Sequence, residues 1–196
     1  CELSNLALGA AGGSGDNVVA FYQDVDQNAF FENMQMEDRF EAAIGGHQFK
    51  AYYQPKCNPK TGEIVGAEAL VRWRHPRLGL LGPDRFLHLV ESAGLMMELT
   101  AIVLDRALQQ WQVWRDAGFR LRVSVNLSTS CVTNPVLITL LEQALNAGIE
   151  PSDLVLEITE TNLMADRDRA LHTLNRAAAK GFGISIDDYG TGFSSL

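Results

Sequence analysis

Polar residues close or directly follow several short apolar runs of this 196-residue sequence. They are Glu68 in EALVRW, Asn126 in SVNLS, Glu157 and Glu160 in LEITE, and Asp187 and Asp188 in IDDYG. The runs are rich in β-branched residues, which is typical of buried strands. A carboxylate or an amide at the ends of successive strands predicts oxygen ligands that converge on one metal site. Such a site indicates hydrolysis of a phosphate ester.

The predicted ligand set contains neither sulfur nor imidazole, which favours a hard divalent cation such as Mg²⁺ or Mn²⁺. Its members are Glu68, Asn126, Glu157 and Asp187, with Asp188 placed to reach a second ion or a bridging water. Two ions about 4 Å apart would activate a water and neutralise charge in the transition state. Any one of these residues alone is more often a helix cap or a solvated carboxylate, so the prediction depends on their joint occurrence. Glu160 is interpreted as supporting a neighbouring loop.

Two further features are compatible with a phosphate ligand. Arg72, in RWRHP, could offer its guanidinium to a phosphate oxygen, and a surface ion pair is the alternative. The closing stretch DDYGTGFSSL is rich in Gly and Ser, so its backbone could present N–H groups. By itself that stretch is weak evidence for phosphate binding.

The acidic composition limits the possible partners. With 16 Lys and Arg against 24 Asp and Glu, the formal net charge is −8, which argues against binding a nucleic-acid polymer or an anionic membrane. An anionic substrate would therefore need bound cations. The three scattered cysteines predict a reducing, cytoplasmic location, although a membrane anchor of the parent protein could lie outside this chain.

Turn spacing and strand–helix alternation predict the architecture. The sequence predicts strands at Phe49–Lys56, Ile64–Trp73, Leu121–Asn126, Leu154–Thr159 and Gly183–Asp187, and helices at about Met36–Ile44, Pro83–Ala93, Glu98–Asp116, Pro135–Ala147 and Arg167–Lys180. The connection between the first two strands is too short for a parallel crossover, so that pair is antiparallel. The later βα units indicate a mostly parallel sheet, and ligands at successive strand ends favour a (β/α) barrel. An open doubly wound sheet is the alternative.

Six stretches, taken in order, resemble the signatures of the EAL domain family. They are YYQP, EALVRW, GPDRF, SVNLS, LEITE and DDYGTGFSSL, which together extend the resemblance over residues 37–196. The resemblance implies a cyclic di-GMP phosphodiesterase with a TIM-like (β/α) barrel, one strand of which is antiparallel. The family cuts one phosphodiester bond to give linear pGpG, using Mg²⁺ or Mn²⁺.

The resemblance also implies a role for each matching residue. Glu68, Asn126, Glu157 and Asp187 are implied metal ligands, and Asp188 is an implied ligand of a second ion. Glu160 is implied to steady the GTG loop that contains Thr191. Gln54, Leu70 and Arg72 are implied substrate contacts. Homodimerisation through the 187–196 loop is common in the family. Tyr189 departs from the family pattern, which usually has Phe there.

Other functions and an upstream domain stay open at this point. A degenerate EAL domain that binds cyclic di-GMP or a protein partner without cutting is the main alternative, and an unrelated barrel metallohydrolase is a third. Residues 1–36 are predicted to be the end of an upstream domain and its linker. Their GDNVVAFYQ stretch weakly resembles the end of a GGDEF domain, and a receiver or other sensory domain is the alternative.

The sequence stops before the family's later Lys-Ile-Asp, E-G-V-E and Gln-Gly motifs, so the predicted barrel is incomplete at its C-terminus. These motifs supply a catalytic lysine and a further carboxylate. We therefore expect the 196-residue piece alone to be inactive and poorly folded, because a barrel without its last strands has open edges. Urea unfolding of the isolated piece is the measurement, and one sharp cooperative transition would contradict the folding half of this prediction.

Overall fold

The structure, a computed structural model, describes residues 40–187. Its strands are β1 Phe49–Cys57, β2 Ile64–His75, β3 Gly79–Leu81, β4 Arg122–Asn126, β5 Leu154–Thr159 and β6 Gly183–Asp187. Its α-helices are α1 Phe40–Gly45, α2 Leu87–Ser92, α3 Met96–Asp116, α4 Thr129–Val132, α5 Val136–Asn146, α6 Glu160–Ala165 and α7 Arg167–Ala179, with 3₁₀ turns at Pro83–Arg85 and Pro151–Asp153. The predicted upstream segment 1–36 and the loop from Asp188 onward lie outside the described residues.

Within residues 40–187 the strands form one sheet in the order β1-β2-β4-β5-β6, and β3 pairs with β2 alone. β1 runs antiparallel to β2, with Gln54 opposite Glu68. The turn between them closes tightly, because Asn58 N donates to Glu63 O at 2.8 Å. β4, β5 and β6 each run parallel to the preceding strand of that order. The predicted antiparallel pair and the mostly parallel sheet are both confirmed.

The two faces of the sheet differ in polarity. Alternate residues of a strand point to opposite faces, and one face carries Ala69, Val125, Leu156 and Ile158, each at most 3% exposed. Long helices cover this face, and α3, α5 and α7 contribute side chains to the same core. Their core residues include Val103, Leu104, Ala107, Leu137, Leu141, Ala170, Leu174 and Ala177. The opposite face therefore holds the polar residues of the strands.

Three aromatic side chains fasten the beginning of β1 to the end of β2. Phe49, Trp73 and Phe86 are almost fully buried, and their ring centroids lie 5.3 to 5.8 Å apart. Trp73 Nε1 donates to Gln48 Oε1 at 3.1 Å, and Arg74 N donates to Gln48 O at 2.9 Å. Phe86, the last residue of the GPDRF stretch, thus belongs to the core that fixes this end of the pair.

Glycine allows a close backbone approach between β2 and β4. A Cβ on Gly66 would lie 2.8 Å from Arg122 O, its register partner on β4. Real Cβ atoms do not tolerate such a distance from backbone, so any side chain here would push the two strands apart. Gly66 also stands opposite Lys56 of β1.

The structure differs from the predicted elements mainly where elements are short. The helix predicted at Pro83–Ala93 is a 3₁₀ turn, Pro83–Arg85, followed by α2. The sequence did not predict β3, α4 or α6. Both short helices start at side-chain caps, since Ser128 accepts from Cys131 N and Thr159 accepts from Asn162 N.

None of the helices in the described part of the chain combines the length and the apolar character that crossing a bilayer requires.

Tyr53 gives the fold a pH dependence at alkaline pH. Its hydroxyl donates to the Arg106 carbonyl of α3 at 2.8 Å, and its ring meets Trp114 edge-on at 5.2 Å. Burial raises the pKa of Tyr53 to about 12, although the nearby Arg106 charge acts in the opposite direction. The folded state therefore holds this proton more tightly than the unfolded state, in which a tyrosine ionises near pH 10. The resulting stability is fully present below about pH 10 and is lost as pH rises towards 12.

Tyr53→Phe should lower the melting temperature at pH 8, because one hydrogen bond worth about 1 kcal/mol is lost. The difference between wild type and variant should then shrink from pH 10 upward, since only the wild type must ionise a buried phenol. Thermal melts at several pH values measure this difference. Tyr52→Phe, at an exposed position of the same strand, is the control, and a wild-type advantage that stays constant up to pH 11 would refute the prediction.

Candidate active site

The predicted site residues lie towards the carboxyl ends of the parallel strands, on the polar face of the sheet. Asn126 at the end of β4 is the register partner of Glu157 on β5. Glu68 pairs with Ser124, two residues before Asn126, and Asp187 pairs with Thr159, two residues after Glu157. Because residues two apart point to the same face, all four predicted ligands share one side of the sheet.

Side-chain contacts connect three of these four residues to partners on other strands. Asn126 Nδ2 donates to Glu68 Oε1 at 2.6 Å, so an amide and a carboxylate meet directly between β4 and β2. Lys56 of β1 forms a short ion pair with Glu157 Oε1. The same ammonium donates to Ser124 Oγ at 3.3 Å. The site thus contains a hydrogen-bonded amide–carboxylate pair and a buried carboxylate with a cationic partner.

The contact between Lys56 and Glu157 also reports the shape of the sheet. β1 and β5 are separated by β2 and β4 in the strand order. Three interstrand spacings amount to roughly 14 Å in a flat sheet, and side chains stand roughly perpendicular to a sheet rather than along it. The two side chains meet because the sheet curves towards its polar face. This curvature is the one that a barrel requires.

The other predicted residues occupy less enclosed positions. Gln54 is exposed on β1, opposite Glu68, whereas Leu70 and Arg72 are half-buried and follow Glu68 at two-residue steps along β2. Arg72 Nη1 donates to the carbonyl of Val71 at 2.8 Å, which uses one of its five N–H donors.

Residues beyond β5 complete the predicted set. Glu160 is half-buried at the start of α6, directly after the cap Thr159, and Asp187 is exposed at the end of β6. The two remaining predictions, Asp188 and Thr191, lie outside the described residues.

Hydrogen bonds hold the strand ends of β4 and β5 together. The Thr159 side chain accepts from Asn162 N at 3.2 Å. Thr129 Oγ1 in turn donates to Asn162 O at 3.1 Å, and Leu127 N donates to Glu157 O at 2.8 Å. Asn126 and Glu157 therefore sit on a rim whose loops are mutually bonded.

A cavity of about 300 Å³ opens beside this rim. It is lined by Leu70, Met96, Asn126, Leu127, Thr159 and Asn162, among other residues, most of them apolar. A larger cavity of about 580 Å³ is lined by Trp111, Arg115, Phe119 and Asp153. Those residues precede β4 and β5, at the amino ends of the strands. The smaller cavity is the one that adjoins the predicted ligands.

The chemistry of the donor set fits a hard divalent cation. Within residues 40–187 no three Asp, Glu, His or Cys side chains are gathered into a ready-made cation site. The donors are instead two carboxylates, Glu68 and Glu157, and the amide of Asn126, with Asp187 on the adjacent strand. All four offer oxygen atoms, which hard divalent cations prefer. The ion pair with Lys56 places a positive charge beside the Glu157 carboxylate.

Sequence reasoning missed Lys56 as a residue of this site. The strand alternation places it on the same face as Gln54, which is a usable signal. Its partner Glu157 lies 101 residues further along the chain, and no local pattern indicates such a pairing.

Comparisons with known proteins agree with this fold. Residues 37–196 match the EAL domain family. The chain is 37% identical over 195 residues to the bifunctional diguanylate cyclase/cyclic di-GMP phosphodiesterase MucR of Pseudomonas aeruginosa, covering 98% of this chain and 28% of that protein. It is 39% identical over 195 residues to the cyclic di-GMP phosphodiesterase NbdA of the same organism, covering 98% of this chain and 25% of that one. The chain thus spans about a quarter of the length of these relatives.

A solved structure extends the comparison to three dimensions. The complex of the PaMucR phosphodiesterase with c-di-GMP superposes with a TM-score of 0.77 at 40% identity, covering 82% of this chain and 66% of that one. EAL domains are TIM-like barrels, so the predicted barrel class is confirmed over the open doubly wound sheet. On the match over residues 37–196 and these relatives, the chain belongs to the EAL domain family.

Proposed function

We propose that this domain hydrolyses cyclic di-GMP to linear pGpG in bacterial second-messenger signalling, with a water activated by a bound metal. The observation that carries the proposal is the row of oxygen donors on neighbouring strand ends, in which Asn126 bonds Glu68 and stands beside Glu157. Two relatives named as cyclic di-GMP phosphodiesterases and a solved complex with c-di-GMP support the choice of substrate.

Glu68, Asn126, Glu157 and Asp187 would hold one Mg²⁺ or Mn²⁺ ion, and Asp188 would help to hold a second. Such ions lower the pKa of a bound water and offset the charge of the phosphodiester. This offset matters here because the sequence has a net charge of −8 and the substrate is an anion. The hydrogen bond between Glu68 and Asn126 holds both side chains in position. Neither side chain therefore has to lose conformational freedom when a metal ion binds.

The substrate would lie over the polar face, next to β1 and β2. Gln54, Leu70 and Arg72 are the proposed contacts, since Gln54 is directly opposite Glu68 and the other two follow Glu68 at two-residue steps. Leu70 also lines the cavity beside the rim. This mostly apolar cavity would accept an apolar or aromatic part of the ligand. Arg72 retains N–H donors for a phosphate oxygen.

The reaction itself breaks one bond. The oxygen of water attacks phosphorus and the bond from phosphorus to the ribose 3′ oxygen breaks. The proton that the water loses ends on that 3′ oxygen, which leaves as a hydroxyl. The attacking water gives up a proton, for which the carboxylates Glu68, Asp187 and Asp188 are the proposed acceptors. Glu160 and Thr191 are proposed to steady the loop that follows β6.

The setting of the domain is also a proposal. The relatives are about four times longer than this chain, which is compatible with an upstream GGDEF-type or other sensory domain in cis. A homodimer formed through the loop at 187–196 is the proposed oligomer.

Glu68→Ala in the full-length protein should reduce Mg²⁺-dependent or Mn²⁺-dependent formation of pGpG by about a hundredfold or more, because a ligand and the partner of Asn126 are both lost. The fold should stay intact, since Glu68 lies on the polar face rather than in the core. Chromatography of the nucleotide products measures the rate, with EDTA as the metal-free control. Glu63→Ala, an exposed carboxylate in the β1–β2 turn, is the matched control.

The same assay separates the enzyme from the alternative function. Tight binding of cyclic di-GMP by the wild type with no turnover in either metal would make the protein a receptor. Undiminished turnover in Glu68→Ala would disprove the ligand assignment while leaving the phosphodiesterase activity itself in place.

A further inference from the structure

Lys56 stands beneath the predicted ligands rather than among them. It occupies the next-to-last position of β1, opposite Gly66, which precedes Glu68 by two residues on β2. Because β1 runs antiparallel, this position lies towards the amino ends of the parallel strands. The ammonium therefore approaches Glu157 from the amino-end side of the site. It also donates to Ser124 Oγ at 3.3 Å, and Ser124 is level with Glu68 of β2.

The pair differs from an ordinary surface ion pair in the burial of its carboxylate. The Glu157 side chain is 5% exposed and the Lys56 side chain is 38% exposed. By comparison, the pair of Lys180 with Glu142 has side chains that are 32% and 49% exposed. A carboxylate that is almost removed from water needs a positive charge or several hydrogen bonds to stay ionised. Lys56 supplies that charge in this structure.

The backbone around Lys56 leaves space for its side chain to extend to Glu157. Gly66 has no side chain, so on β2 nothing stands at the level of Lys56 on the polar face. The ammonium contacts Oε1 of Glu157. The same carboxylate belongs to the register partner of Asn126. A cation held with Asn126 and Glu68 would thus share Glu157 with Lys56.

We propose that Lys56 is an internal counter-ion of Glu157, which keeps this carboxylate in position while no metal is bound and opposes metal binding by its charge. Lys56 is a positioning residue in this role, since it acts through Glu157. The inference rests on the proposed metal site. Two positive charges that compensate one carboxylate are negatively coupled, and the coupling is reciprocal. The loss of Lys56 must therefore weaken the metal-free protein more than the metal-bound one.

The test compares melting temperatures of the full-length protein in EDTA and in saturating Mn²⁺. Lys56→Met keeps the length of the side chain and removes its charge. In EDTA we expect the melting temperature of the EAL domain to fall by roughly 5 °C or more, because a buried charge loses its partner. In Mn²⁺ we expect less than half of that fall, and calorimetric titration should show correspondingly tighter Mn²⁺ binding by the variant.

Four further proteins make the result specific. Lys60→Met, at an exposed position in the β1–β2 turn, should change neither melting temperature. Lys56→Arg restores a positive charge and should recover most of the stability in EDTA. In a Glu157→Gln background, Lys56→Met should no longer change the difference between the EDTA and Mn²⁺ melting temperatures.

The possible failures are distinguishable. If Mn²⁺ stabilises the wild type but Lys56→Met loses equal stability in EDTA and in Mn²⁺, Lys56 is merely structural and the inference is wrong while the metal site stands. If Lys56→Met loses no stability in EDTA, the inference is wrong as well. If Mn²⁺ stabilises neither wild type nor variant, the proposed metal site fails and the counter-ion role fails with it.

Discussion

A carboxylate that is almost removed from water needs a positive charge or several hydrogen bonds, and the arrangement of the site follows from how Glu157 meets this requirement. The charge comes from Lys56, three strands away in the sheet order. That contact needs a sheet curved towards its polar face, a β1 strand that runs antiparallel so that residue 56 lies deep, and a glycine at position 66. A single electrostatic requirement thus connects the direction of one strand, the curvature of the sheet and the choice of a residue without a side chain.

The apolar face of the sheet stabilises the domain by packing against the helices, and this leaves the other face available for polar residues. Val123, Val125, Leu154 and Leu156 are completely buried beneath the helices. This apolar layer lets the strands carry polar residues at alternate positions without losing their attachment to the helices. The rim loops add hydrogen bonds through Thr159 and Asn162. The candidate ligands therefore lie on strands that the helices hold in place through the apolar face. Such rigid support favours a site that must bind its ligand in one geometry.

The sequence predicted what is encoded locally. The short segment after Cys57 sufficed to predict the antiparallel pair, and the apolar runs sufficed to place Glu68, Asn126, Glu157 and Asp187 near successive strand ends. The residues around Gly79 and Thr129 form elements of three and four residues, too short for a hydrophobic period to be visible. The ion pair of Lys56 with Glu157 joins positions 101 residues apart. Such a pairing is a property of the curved sheet and not of any stretch of sequence.

The direction of β1 has a mechanical consequence. In a sheet built only from parallel strands, the chain would enter at the end remote from the ligands. Here β1 starts on the ligand side, where Gln48 is bonded to both Trp73 and Arg74 at the end of β2. A displacement of Gln48 is therefore transmitted to Trp73 and Arg74, at the end of the strand that carries Leu70 and Arg72. The reversal of β1 thus couples the position of Gln48 to the end of β2 that follows the proposed substrate contacts.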